Sequence, residues 1–220
     1  MPIGAATPTH PEPWEPRQRD TKRYLHFDRH ISVAEIIALT NNPKAVASNS
    51  FYPLLRFKEE WVKFRVDSKR KKKIRPLRYS SRRDAAIYAR YRALLSEKYE
   101  QKLRELGIQE VPIAYRKIPN RGISGNKSNI DFARDIFENI RKIGNCVVTV
   151  VDIKSYFESL DHRLIRERWE EILGSSLPED HEAIFRALTK YTFVDREAVY
   201  ERLGLYEKVK SGTRKMQRKA

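Results

Sequence analysis

The feature that most constrains this chain is CVVTVVDIKSYFESLDH, residues 146–162. Its first six residues are one cysteine, four valines and one threonine. β-Branched side chains are stiff at χ1 and pack well on a pleated surface, so the run predicts a strand inside a sheet. It stops at Asp152, which places one carboxylate at the rim of that sheet. An isolated ionised carboxylate is costly where burial ends. A hard divalent cation such as Mg²⁺ removes the cost, because it takes carboxylate and backbone oxygens and leaves positions for phosphate oxygens. The backbone after Asp152 can offer N–H groups to a phosphate, and arginines elsewhere can hold the rest of a triphosphate. Such a set suits phosphoryl or nucleotidyl transfer. The competing use of a strand-end aspartate is a turn or a helix cap. Asp161, directly before His162, is expected to be a cap of that kind.

Charge narrows the partners. The 220 residues carry 45 Lys and Arg against 29 Asp and Glu, a net charge of +16. Such an excess attracts polyanions, since each neutralised phosphate releases counterions. Nucleic acid is therefore the expected partner. No long basic amphipathic helix points to a membrane surface, and no apolar run approaches the roughly 18 residues of a membrane span. The single cysteine, Cys146, excludes an internal disulfide and fits a reducing, cytoplasmic setting. The first residues are proline-rich without an apolar signal core, which reads as a flexible leader over residues 1–30.

Helix signals punctuate the rest. Ser32 with Glu35 has capping-box spacing ahead of an apolar run that Asn41, Asn42 and Pro43 end. Residues 62–83 hold eleven Lys or Arg and one acid, and RPLRY within them reads as a basic strand. A long helix follows, started by Ser81 and Asp84 and stopped by Gly107. Ile87, Tyr91, Leu94, Leu95, Leu103 and Leu106 form its stripe. VPIAYRKIP, residues 111–119, is a second strand candidate. Ser128 and Asp131 start a helix striped by Phe132, Ile136 and Ile140 and ended by Gly144. The helix after Asp161 carries Leu164, Ile165, Trp169, Ile172 and Leu173 and stops at Gly174. A last helix is expected from about Glu179, and the tail from Lys208 to Ala220 has six basic residues and no acid.

DIKSYFESLDHRLI resembles motif A of the reverse transcriptases, above all the bacterial retron, group II intron and defence-associated kinds. KKKIRPLRYSSRRDAAIYARY resembles their first fingers motif, and AYRKIPNRGISGNKSNIDFARDIF their second. The order along the chain is also the family's, over roughly residues 45–175. The resemblance implies an RNA-directed DNA polymerase using dNTPs, an RNA template, a DNA or RNA primer and two Mg²⁺ ions. Asp152 matches the first metal-binding palm aspartate, and Ile153 the residue whose carbonyl reaches a metal. Phe157 matches the aromatic gate that clashes with a 2′-hydroxyl, and Tyr156 would turn toward the core. Arg116 matches the arginine that grips the triphosphate, with Arg75 or Arg78 as its companion.

The chain also departs from the family. It contains no Tyr-x-Asp-Asp and no Pro-Gln-Gly segment, and 68 residues follow Asp152. Two-metal transfer needs both ions held about 3.5–4 Å apart, beyond the means of one aspartate and one carbonyl. The expectation is an α+β chain: helix-rich fingers with a basic β-hairpin at 31–144, the first part of a palm sheet at 145–175, and the start of a palm insertion with a basic tail at 176–220. Such a fragment would be inactive alone, whether it is a truncated gene product, a deliberately cut chain or one piece of a split enzyme whose palm a second polypeptide completes. The rival expectation is a non-catalytic, basic nucleic-acid-binding protein.

Overall fold

The computed structural model describes residues 13–62, 72–120, 122, 124–153, 156–208 and 214–216. The fold is α+β. It divides into two compact units, one of residues 1–94 with 175–220 and one of residues 95–174. The boundaries lie after residues 94 and 174, so the chain leaves the first unit and later returns to it.

The first unit opens with a segment that the sequence assigned to a flexible leader. Residues 1–12 lie outside the described residues, but 13–30 are tied to Asn41, Ser80 and Arg82. Trp14 N–H donates to Asn41 Oδ1 at 2.8 Å, and Tyr24 Oη donates to the Ser80 carbonyl at 2.8 Å. Asp28 accepts from the Arg82 backbone N–H at 2.8 Å and from its Nε at 3.1 Å. Helix α1 (Val33–Thr40) starts where its local chemistry dictates. Ser32 N–H donates to Glu35 Oε2 at 2.8 Å and Glu35 N–H to Ser32 Oγ at 3.2 Å, closing the capping box. A short helix α2 (Pro43–Ala47) comes directly after it, with Pro43 in its first turn and Asn42 as cap.

Strands β1 (Leu54–Val62) and β2 (Lys72–Tyr79) form the expected basic hairpin, antiparallel from Leu55↔Tyr79 to Val62↔Lys72. The first of the pair, β1, was not legible, because Pro53 interrupts the apolar run at its start. Helix α3 (Arg82–Glu105) begins at Ser81, whose Oγ accepts from Asp84 N–H at 2.9 Å. Its residues to Leu94 belong to the first unit. After the excursion come α6 (Glu179–Thr189), β3 (Phe193–Asp195) and α7 (Arg196–Arg202). Strand β3 runs parallel to β1, giving the order β2-β1-β3. Leu55, Tyr200 and Leu205 form a buried cluster beneath that sheet, with Leu25, Phe27, Tyr79 and Val199 against it. Strands β4 (Tyr206–Lys208) and β5 (Arg214–Met216) pair antiparallel with each other.

The second unit holds the rest of α3, then α4 (Asn129–Ile143), a 3₁₀ turn at Tyr156–Ser159 and α5 (His162–Leu173). Both α4 and α5 start and stop where the sequence signals lie. Ser128 N–H donates to Asp131 Oδ2 at 2.8 Å, and Gly174 takes the left-handed conformation at φ 74° that ends α5. Two expected strands are absent. Residues 111–119 form no strand; a turn lies at 114–115, with Tyr115 at φ 59°, and Pro119 makes an isolated bridge to Asn126. Residues 146–151 join no ladder among the described residues, and Val147, Val150 and Val151 are 93%, 89% and 86% exposed. A β-branched run becomes a strand only when a second strand satisfies its backbone, and no described strand lies beside this one.

Candidate functional site

The residues singled out by the sequence fall into both units. Asp152, Ile153, Phe157 and Arg116 belong to the second, Arg75 and Arg78 to the first.

Asp152 follows the exposed valines and is itself exposed, as is Ile153. It does not stand at the rim of a sheet, since the strand that would carry it there is not formed. Lys154 and Ser155 lie outside the described residues. Phe157 sits in the 3₁₀ turn, 65% exposed, with its ring centroid 6.4 Å from Tyr115 and 5.3 Å from Tyr156. Tyr156 does not turn into a core; it too is exposed. Asp161 caps α5 as expected, its Oδ1 accepting from Arg163 N–H at 2.8 Å and Leu164 N–H at 3.3 Å.

Arg116 is brought near this turn by its neighbour Tyr115, but its guanidinium is engaged elsewhere. Nε and Nη2 each donate to Glu100 at 2.7 Å, while Nη1 donates to the carbonyls of Gln109, at 2.6 Å, and Pro112. Only 8% of its side chain is exposed. The bond from Arg116 holds Glu100 below the usual carboxylate range. Here Arg116 ties the 109–116 loop to α3, a different task from holding a triphosphate.

Arg75 and Arg78 project from opposite faces of β2, since successive residues of a strand alternate. Both are exposed. Arg78 lies over two rings, 5.2 Å from the Tyr191 centroid and 5.7 Å from that of Phe193. A cleft of about 260 Å³ adjoins it, lined also by Ser80, Tyr88 and Tyr191.

The donor set for magnesium is incomplete. Among the described residues no three His, Cys, Asp or Glu side chains converge, and the candidates named by the sequence are the Asp152 carboxylate and the Ile153 carbonyl. These two do not fit a pair of Mg²⁺ ions, each of which demands near-octahedral oxygen coordination. No described helix is long and apolar enough to cross a membrane.

Sequence reasoning missed the aromatic and charged surface around β3. Its signal was present in Tyr191-Thr192-Phe193, an aromatic, β-branched, aromatic triplet of strand character. A scan against protein-family models finds no match to this chain, and a search of curated proteins finds none either.

Proposed function

We propose that this chain is the fingers and first palm segment of a reverse-transcriptase-type polymerase, acting on an RNA template, a primer and dNTPs. The observation that carries the reading is the stretch DIKSYFESLDHRLI together with its local geometry. Asp152 is followed at five residues by the exposed ring of Phe157, and Asp161 then caps α5. The basic hairpin of β1 and β2, with Arg75 and Arg78 exposed, supports it from the first unit. Arg75, Arg78 and Arg116 are each candidates for the triphosphate in this reading, Arg116 only if it exchanges Glu100 for phosphate. Phe157 lies under the sugar and disfavours a 2′-hydroxyl. Asp152 would supply a single carboxylate to a metal in this reading, too few donors for two ions, so no metal-dependent step is assigned to this chain.

The test is formation of a ternary complex. A DNA primer annealed to an RNA template should be retained more tightly by the chain when the complementary dNTP is added in magnesium buffer. The matching ribonucleotide should have a smaller effect, and Phe157→Ala should erase that difference. If complementary and non-complementary dNTPs act alike, the polymerase reading is wrong. Binding without any nucleotide response would favour the second reading, a non-catalytic nucleic-acid-binding protein. The engagement of Arg116 by Glu100, and the lack among the described residues of three converging His, Cys, Asp or Glu side chains at Asp152, speak for that alternative.

A further inference from the structure

The sheet β2-β1-β3 has two unlike faces. One covers the cluster of Leu55 and Tyr200. On the other, alternation and register bring together Arg56 and Lys58 of β1, Arg78 of β2, and Phe193 and Asp195 of β3. The guanidinium of Arg56 lies 4.2 Å from the Phe193 centroid. Asp195 fixes its plane there, accepting from Nε and Nη2 at 3.0 Å each. Arg78 reaches Phe193 from the other strand and Tyr191 beyond it, so guanidinium planes and rings alternate across the face. The surface is open: Phe193 is 41% exposed and Tyr191 43%.

This combination has a specific use. Aromatic rings and arginine planes offer stacking area to any nucleobase, and cations beside them track a phosphate backbone. A duplex hides its base faces and would gain only the charge. An acidic peptide would likewise use Arg78 and Lys58 and leave the rings idle. Three strands about 4.8 Å apart span roughly 10 Å, room for two or three unstacked nucleotides. The cleft of about 260 Å³ beside Arg78 and Tyr191 is smaller than the roughly 300–1,000 Å³ of drug-sized pockets and suits a single ring system. Asp195 offsets the charge of Arg56, which leaves Arg78 and Lys58 as the phosphate-facing cations.

We propose that this face binds single-stranded nucleic acid, with bases stacked on the Arg56–Phe193 and Arg78–Tyr191 pairs. The site does not depend on the polymerase reading and would serve a non-catalytic protein equally, so the two stand or fall separately.

Fluorescence anisotropy with the full chain and labelled 12-mers of uridine and thymidine tests it, at several salt concentrations. Tyr191→Ala and Phe193→Leu should each weaken binding by roughly fivefold to a hundredfold, the size of one lost stack, and leave the salt slope unchanged. Arg78→Ala should lower that slope by about 1, and Arg78→Lys should keep the slope while losing affinity. Lys44→Ala, on α2, serves as the charge control and should not approach the loss seen for Tyr191→Ala. Equal losses on both oligomers place recognition in base stacking; losses confined to uridine assign the site to RNA. The proposal is overturned if both ring variants, folded by circular dichroism, bind as the parent does. It is overturned equally if polyglutamate displaces the uridine oligomer as well as unlabelled oligomer does.

Discussion

Arg116 has five N–H donors, and four of them are already spent on Glu100 and two carbonyls. A residue type chosen by its sequence neighbourhood as a phosphate clamp is equally good at clamping a loop, because a carboxylate and a phosphate ask for the same fork. His26 shows the opposite condition. It is buried, its Nδ1 is 3.5 Å from Asp28 Oδ1 without hydrogen-bond geometry, and neither ring nitrogen has a hydrogen-bond partner among the described residues. Burial lowers its pKa from 6.5, and Arg82 adds to that, while Asp28 opposes it. A folded-state value below the unfolded one means that, between the two, the unfolded chain binds a proton that the folded chain refuses. Stability from this site is therefore complete above pH 6.5 and declines as the pH falls below it. His26→Phe should flatten the decline in melting temperature between pH 7 and 5. An unchanged slope would show that the histidine is protonated in place.

The helices were legible in the sequence because their signals are local. Ser32 and Glu35, Ser81, and Asp161 each satisfy backbone donors within three residues, while the Asp84 carboxylate is the one that turns to distant partners, Asn49 and the Tyr52 N–H. Strands need a partner elsewhere in the chain, and there the sequence misled in both directions. Residues 146–151 have strand composition and no ladder, whereas β1 and β3 found partners that their own residues do not announce. The consequence is greatest at Asp152, which only a formed strand over 146–151 would carry to a sheet rim. Capping makes a separate forecast for α1. The Ser32 backbone N–H and then the Arg29 guanidinium pull Glu35 down to about 2. With the folded value below the unfolded 4.5, this support is present above pH 4.5 and is lost as the pH drops toward 2. Ser32→Ala should cost about 1 kcal/mol in chemical denaturation at neutral pH. A cost near zero would mean that the exposed box contributes no net stability.

Across the molecule the apolar interior is unevenly shared. Among the described residues, twelve of the buried apolar side chains belong to the first unit and two, Leu103 and Trp169, to the second. Few buried contacts mean a low free energy of local opening. Amides of α4 and α5 should therefore exchange with deuterium well before those of α3 between Ala85 and Tyr91, which lie in the densest packing. Equal protection would point to packing in the second unit that exposure does not reveal. The bare valines of 147–151 also bear on how copies of this protein meet in a concentrated sample. At low ionic strength a charge of +16 keeps them apart. Raising the electrolyte from 0.1 M to 1 M shortens the screening distance from about 10 Å to about 3 Å. Encounters then pass from mutual repulsion to contact between exposed valine stretches, so light scattering from a concentrated sample should rise with added salt.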